Sequence, residues 1–371
     1  MHKLAIGGTI LEHELSELRL LVERQAGLLL DCPNSALAAH VAEYLESRQL
    51  ESAAALLDSL RSSDQDPAIL PQFLDGLLNG NTGFFRHPGA MNALARQVLP
   101  QLFARKSGDG SCALRIWSAG CGTGEEAYSI AMAICEAVAG GGAANGASNG
   151  NGNGNGNATG TRAGSSNGKN GITRNGGILD VPSPTPTDIA AQIAKDQTTK
   201  DQTTKDRSIH IVGSDLLPAA IEVAERGLYP QAALAGLPPT TIRSCFSKIG
   251  SPGAAQDSSS NASGNGSANG SHLLVKPRLR SLVTFNTMNL VRPVYIGRFD
   301  CIFCMDVLPH LSRAQRTALL ERLHLYLEPG GFLFLSQTEK LSAPNLNFRP
   351  ETFDGYTFHR KPLAASAAYG R

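Results

Sequence analysis

Ile116-Trp117-Ser118-Ala119-Gly120-Cys121-Gly122-Thr123-Gly124-Glu125-Glu126 is the stretch on which the reading of this chain turns. It joins a short apolar strand, predicted over residues 114–118, to a helix predicted over 125–138. Glycines at 120, 122 and 124 allow positive φ and let backbone approach a ligand closely. Such a turn suits a dinucleotide as well as it suits plain turn chemistry, so the flanking segments must decide.

Outward from that turn the chain alternates short apolar strands with amphipathic helices. Strands are predicted at 209–214, 283–286, 300–304 and 332–336, and helices at 218–227 and 313–327. That alternation predicts an α/β fold with a mostly parallel, doubly wound sheet, whose ligand sites lie at the C-terminal ends of the strands. Two stretches interrupt it, at 139–207 and 251–271, both dominated by Gly, Asn, Ser and Thr. They lack the apolar surface that would offset chain entropy and are expected to be disordered insertions. Ahead of the sheet, residues 10–80 carry apolar positions at helical spacing: Leu15, Leu18, Leu21 and Val22, then Leu37, Val41 and Leu45, then Ala54, Leu57 and Leu60. These predict a small helical domain.

Bulk composition narrows the partners. The 371 residues are 42% hydrophobic, enough for a full-sized core with a smaller companion domain. Lys and Arg number 33 against 32 Asp and Glu, so there is no overall cationic field of the kind that nucleic acid attracts. The seven cysteines have no second pair at zinc spacing to match Cys301 and Cys304, and no metal is expected. No stretch approaches the roughly 20 apolar residues that a bilayer span requires, so no membrane insertion and a cytoplasmic location are expected.

The next strand and the two carboxylates narrow the ligand. Residues 209–214 end at Asp215, where an acid can accept hydrogen bonds from both ribose hydroxyls, as it would in a dinucleotide enzyme too. Glu125 and Glu126 beside the turn would repel a pyrophosphate, whereas S-adenosylmethionine has no phosphate and carries a cationic sulfonium and ammonium. Two bland alternatives stand beside this. Acids in the first turn of a helix are favoured by the macrodipole, and Asp215 is placed to cap the helix that begins near Pro218.

Several motifs in order resemble the CheR family, the glutamate methyltransferases of chemotaxis receptors, along nearly the whole chain outside the insertions. They begin with Asn81-Thr82-Gly83-Phe84-Phe85-Arg86 and the quoted turn continued through Ala127-Tyr128-Ser129-Ile130-Ala131. Gly213-Ser214-Asp215 with Ala224-Glu225-Arg226-Gly227-Leu228-Tyr229 follows, then Phe285-Asn286-Thr287-Met288-Asn289-Leu290, residues 299–304 and residues 327–334. The resemblance implies a Rossmann-like S-adenosylmethionine methyltransferase domain over 81–365, with a small β-subdomain at about 244–285, and an N-terminal helical domain over 10–80 that contacts the substrate. It further implies S-adenosyl-L-methionine as cofactor, held by Thr82, Arg86, Gly120, Gly122, Glu126, Asp215, Asn289, Leu290 and Asp306. Arg86 and His310 would stand at the reacting end. The implied partner is a methyl-accepting chemoreceptor or related signalling protein, met by a monomer. Taken by itself, Arg86 after two aromatics also suits a surface cation stacked on its neighbours, and Phe84 and Phe85 suit core packing.

Departures from the family pattern bear on the acceptor more than on the cofactor. Where the family has Arg-Asn-Val-Leu-Ile-Tyr-Phe, residues 305–311 are Met305-Asp306-Val307-Leu308-Pro309-His310-Leu311. A histidine still donates a hydrogen bond, but methionine does not replace a cation. Residues 36–56 set Glu43, Glu46 and Glu51 against His40 and Arg48, where receptor-methylating relatives present a basic helix. A non-catalytic S-adenosylmethionine-binding regulator, or a methyltransferase for another substrate, are the alternatives these departures raise.

Overall fold

The computed structural model describes residues 10–62, 68–78, 82–108, 113–144, 208–248, 272–292, 296–341 and 345–363. All of these except Val138–Ala144 fall within one compact unit. Asn81, and the two Gly- and Asn-rich stretches beyond residue 144, lie outside the described residues.

Four helices open the chain: α1 (Glu12–Ala26), α2 (Asn34–Arg48), α3 (Ala53–Arg61) and α4 (Ile69–Asp75). The expected apolar positions of α1 and α2 are buried, as are Leu57 and Leu60 of α3, but Ala54 is exposed and Ala53 and Leu56 take the inner face. Ser52 marks the start of that helix. Its hydroxyl accepts from the Ala55 amide at 3.2 Å and so starts the helix at Ala53, an N-cap whose loss costs about 1 kcal/mol. The end of α1 is fixed by Gly27 at φ 72, where a side chain would meet Val291. Leu28 then forms a bridge to Leu311, and the Leu29 amide donates to the His310 carbonyl at 2.7 Å. The helical segment is thereby stitched onto the loops at one end of the sheet.

Beyond α5 (Pro88–Ala93) and α6 (Leu99–Gly108) the alternation begins: β1 (Ala113–Ala119), α7 (Glu125–Ala144), β2 (Ser208–Asp215), α8 (Pro218–Arg226) and β3 (Leu228–Pro230). It continues with α9 (Pro239–Cys245), β4 (Phe246–Lys248), β5 (His272–Val275), α10 (Pro277–Arg280), β6 (Val283–Thr287), β7 (Phe299–Phe303) and α11 (Arg313–Tyr326). Strands β8 (Leu327–Phe334), β9 (Arg349–Phe353) and β10 (Tyr356–Arg360) close the chain. Seven strands form one sheet in the order β6-β2-β1-β7-β8-β10-β9. The first five are mutually parallel and β10 runs antiparallel to both of its neighbours, β8 and β9, which is the mostly parallel, doubly wound arrangement that the alternation predicts. Strand β7 lies at its centre and is buried at every position, as a parallel strand covered on both faces should be, and β1 beside it buries Ile116 and Trp117.

Three boundaries differ from the sequence expectation. Helix α7 runs to Ala144 rather than ending at 138. Strand β8 begins at Leu327, pairing there with Phe299 before a register shift. The β9–β10 hairpin went unpredicted although Asp354-Gly355 marks its two-residue turn, with both residues at positive φ and Phe353 paired with Tyr356. The separate small sheet, ordered β3-β5-β4, draws its first strand from Leu228–Pro230, while Val283–Thr287 belongs to the large sheet.

One ion cluster holds α6 to the sheet. Asp300, 2% exposed, pairs with Arg105 at 3.2 Å and Lys106 at 3.0 Å and accepts the Arg115 amide at 3.0 Å. Removing a buried partner of this kind strands the opposite charges and costs about 3–5 kcal/mol.

Candidate active site

The C-terminal ends of β1, β2 and β7 open into one cavity of about 450 Å³. Thr82, Arg86, Gly120, Gly122, Glu126, Asp215, Asn289, Leu290, Asp306 and His310, scattered over more than two hundred positions of sequence, all lie on its wall. Ala26 and Leu28 from the helical segment complete it.

The β1–α7 turn is anchored before it can bind anything. The amides of Gly120 and Cys121 both donate to the Ser214 carbonyl, at 2.8 and 2.9 Å, while the Trp117 indole donates to the Ser214 hydroxyl at 2.9 Å. Gly120 and Gly124 stand at φ 84 and 96, and a side-chain carbon would sit 2.5 Å from Val307 at the first and 2.7 Å from Ala224 at the second. These two glycines are required by both conformation and space.

Two adjacent glutamates divide the work. Glu125 is buried and its carboxylate accepts from the hydroxyls of Thr123 at 2.7 Å and Thr82 at 3.2 Å, so it clamps the segment around Thr82 to α7. Phe85 is tied to the same helix, its amide donating to Ser129 Oγ at 2.9 Å. Glu126 instead faces the cavity. It accepts the Ser118 hydroxyl at 2.6 Å, and burial, opposed by that bond, pushes its carboxyl up to about 7.

Asp215 takes the amide of Gly122 on Oδ2 at 2.9 Å and that of Leu217 on Oδ1 at 3.0 Å. It therefore orders both the glycine turn and the start of α8, yet retains acceptor capacity toward the cavity, since each carboxylate oxygen has two lone pairs. Burial raises its pKa against the pull of those amides. The side chain of Asn289 is spent on the loop itself: Oδ1 accepts the Val291 amide at 2.9 Å and Nδ2 donates to the Gln25 carbonyl at 3.4 Å.

Across the cavity, Asp306 sits at φ 57, a left-handed conformation that costs a non-glycine residue free energy. Its Oδ2 meets His87 Nε2 at 2.8 Å and Arg86 Nη2 at 3.3 Å. Desolvation pushes this carboxyl up, but the bonds from His87 and Ser336 and the charges of His87 and Arg86 outweigh it and hold it below the ordinary range. His87 is the site residue that sequence reasoning missed. Its neighbour Arg86 was in view, but nothing in the local sequence indicates a partner 219 residues away. Met305 is buried, with Tyr356 Oη 3.8 Å from its sulfur, and His310 is exposed at the rim.

The cavity fits a cationic nucleoside. Carboxylates of Glu126, Asp215 and Asp306 line it alongside a permissive glycine backbone, and apolar walls from Leu28, Leu290 and Val291 suit a base. The model for "CheR methyltransferase, SAM binding domain" matches residues 80–145 and 190–356, more than half of the chain. The chain belongs to the CheR methyltransferase family. Among proteins similar to this CheR chain, chemotaxis protein methyltransferase 1 of Pseudomonas aeruginosa is 25% identical over 327 residues, covering 87% of this chain and 89% of that protein. Chemotaxis protein methyltransferase Cher2 of Pseudomonas putida is 24% identical and covers 89% and 91%, and the Vibrio parahaemolyticus chemotaxis protein methyltransferase is 24% identical and covers 90% and 92%. The CheR chain is an S-adenosylmethionine-dependent methyltransferase. Among the described residues no helix is long and apolar enough to cross a membrane, and no three His, Cys, Asp or Glu side chains group to hold a metal. Cys301 and Cys304 are buried free thiols whose pKa values burial raises well above the usual thiol range.

Proposed function

We propose that this protein methylates glutamate side chains on a chemoreceptor or a related signalling protein. The observation that carries the reading is the pairing of carboxylates on the cofactor side of the cavity with one arginine at its opposite wall. The printed names of the relatives, which are chemotaxis protein methyltransferases across nearly the whole chain, support the same acceptor class.

When bound, S-adenosylmethionine supplies an electrophilic methyl group on a cationic sulfonium. Glu126 and Asp215 hold negative charge toward that cofactor, with Asp215 reaching the ribose hydroxyls while Gly120 and Gly122 let backbone close on it. Thr82, Asn289 and Leu290 shape the same wall, and Asp306 faces it across the cavity as a further carboxylate toward the cofactor. Arg86 is suited to grip the acceptor carboxylate, because its planar fork matches two carboxylate oxygens, and His310 at the rim is a second donor. A glutamate with an ordinary pKa of about 4.3 is already anionic at neutral pH, so no general base is required. Alignment and desolvation of that carboxylate supply the acceleration. On this reading residues 10–80 contact the substrate, residues 81–365 perform transfer, and the protein acts as a monomer in the cytoplasm.

The test is transfer of labelled methyl from S-adenosylmethionine to a receptor cytoplasmic fragment as a base-labile ester. Stable incorporation that resists mild base, or none at all, contradicts the reading. A second reading, a non-catalytic S-adenosylmethionine-binding regulator, draws on Met305, which is buried against Tyr356 and brings no charge to the reacting end. Tight cofactor binding with no ester formed on any receptor fragment would favour it.

A further inference from the structure

The wall opposite the glycine turn holds an arrangement that the family resemblance does not account for. Asp306 accepts from two cationic-type side chains on a single oxygen, Oδ2, with His87 at 2.8 Å and Arg86 at the longer 3.3 Å. Both sides of this contact rest on left-handed, non-glycine backbone, Phe85 at φ 51 immediately before Arg86, and Asp306 at φ 57. Such conformations persist only where their surroundings over-determine them, so the three side chains are held in register by the fold rather than by chance of rotamer.

The charges around the cavity are unbalanced. The carboxylates of Asp306 and Glu339 both act on Glu126, and Arg86 is the one permanently charged cation among the cavity-lining residues described. A fourth carboxylate, that of an acceptor glutamate, is repelled by this group unless Arg86 turns to it. The arginine side chain is 48% exposed and that of His87 23%, so the arginine is the partner with room to move. If Asp306 depended on Arg86 alone, that movement would strand a half-buried carboxylate, which is costly. The shorter bond from His87 removes the difficulty.

Resting on the acceptor reading above, we propose that His87 is a positioning residue: it retains Asp306 so that Arg86 is released to bind the acceptor's carboxylate. His87 touches neither the cofactor nor the acceptor in this role. It acts on the acceptor site through Asp306.

A double-substitution cycle on the full-length chain tests this, with a purified chemoreceptor cytoplasmic fragment as acceptor and calorimetry of S-adenosylhomocysteine as the independent readout. His87→Ala should raise the acceptor KM about tenfold, with kcat and S-adenosylhomocysteine affinity changed less than about threefold. His87→Gln, whose amide can still donate to Asp306, should stay within about threefold of the parent KM and so guards against mere loss of folding. In an Asp306→Asn background, where no charge needs holding, His87→Ala should add less than about twofold. Equal KM penalties in the two backgrounds, or a His87→Gln variant as impaired as His87→Ala, would overturn the proposal while leaving the methyltransferase reading intact. Failure of the parent chain to methylate any receptor fragment would overturn both.

Discussion

Asp215 and Asp306 follow the two strands that flank β1 in one sheet and face one cavity, yet their environments push them in opposite directions. Asp215, at the end of β2, is surrounded by backbone: the amides of Gly122 and Leu217 bind it, no cation among the described residues pairs with it, and burial raises its pKa. Asp306, just past β7, is bound by side chains, and His87, Ser336 and Arg86 together outweigh desolvation and lower its pKa. The first carboxylate is fixed and lacks a countercharge, which suits it to a ligand bearing positive charge and hydroxyls. The second is neutralised by groups that can be redistributed, which suits it to the side of the cavity where an anion must arrive. Environment, not residue type, separates the two roles.

The largest expected effect comes from breaking the fixed side. Asp215→Ala removes an acceptor that orders the glycine turn, and calorimetry with S-adenosylhomocysteine should show affinity falling about 100-fold, since hydrogen bonds to a charged group contribute about 1.5–3 kcal/mol each. A loss under about threefold would mean that the two loops do not differ as argued.

Glu126 lies between the two and carries opposite consequences for folding and binding. Its folded carboxyl, at about 7, lies above the unfolded value of 4.5, so the folded state holds the proton more tightly. Stability from this group is greatest at low pH, falls as pH rises from about 4.5 to about 7 and is level above that. Glu126→Gln should therefore stabilise the protein by about 1–2 kcal/mol at pH 8 in denaturant melts, less than full linkage because the cavity is open to solvent. The same variant should weaken S-adenosylhomocysteine about tenfold at pH 8 and remove the loss of affinity that the parent shows between pH 8 and pH 6. No gain in stability at pH 8 would place Glu126 outside the buried wall.

Asp306→Asn sharpens the contrast from the other side. Asparagine tolerates the left-handed backbone and keeps a hydrogen-bonding group, so cofactor affinity should fall less than about fivefold, far less than for Asp215→Ala. Thr82→Val is the smallest change. It deletes one of two hydroxyl donors to buried Glu125 and should cost about 1 kcal/mol in thermal or denaturant unfolding, with the Thr123 bond retained.

These residues also mark what was legible in the sequence. Local patterns carried the sheet well: short apolar runs alternating with amphipathic helices predicted β1, β2, β6 and β7, and the glycine turn with its two glutamates pointed to a phosphate-free cationic ligand. Ala54 is not on the inner face of α3, because an alanine carries little phase information and the leucines at 56, 57 and 60 define that face. The β9–β10 hairpin carries its Asp354-Gly355 signal in the sequence, but its strands lack the continuous apolar runs of the parallel strands and are half-exposed. That Glu125 serves Thr82 and Thr123 while Glu126 faces the cavity could not be read from adjacent identical letters, since it depends on where α7 starts and on a segment more than forty residues earlier. The His87–Asp306 contact is a product of topology, and no local pattern encodes it.

The most direct test of the cavity is calorimetric titration of S-adenosylmethionine into the purified chain, with inorganic pyrophosphate as a control. Saturable uptake of one equivalent of the sulfonium nucleoside, with no heat from pyrophosphate, is the predicted result. Binding of pyrophosphate, or no saturable uptake of S-adenosylmethionine or its demethylated product, would contradict a site built from carboxylates for a cation.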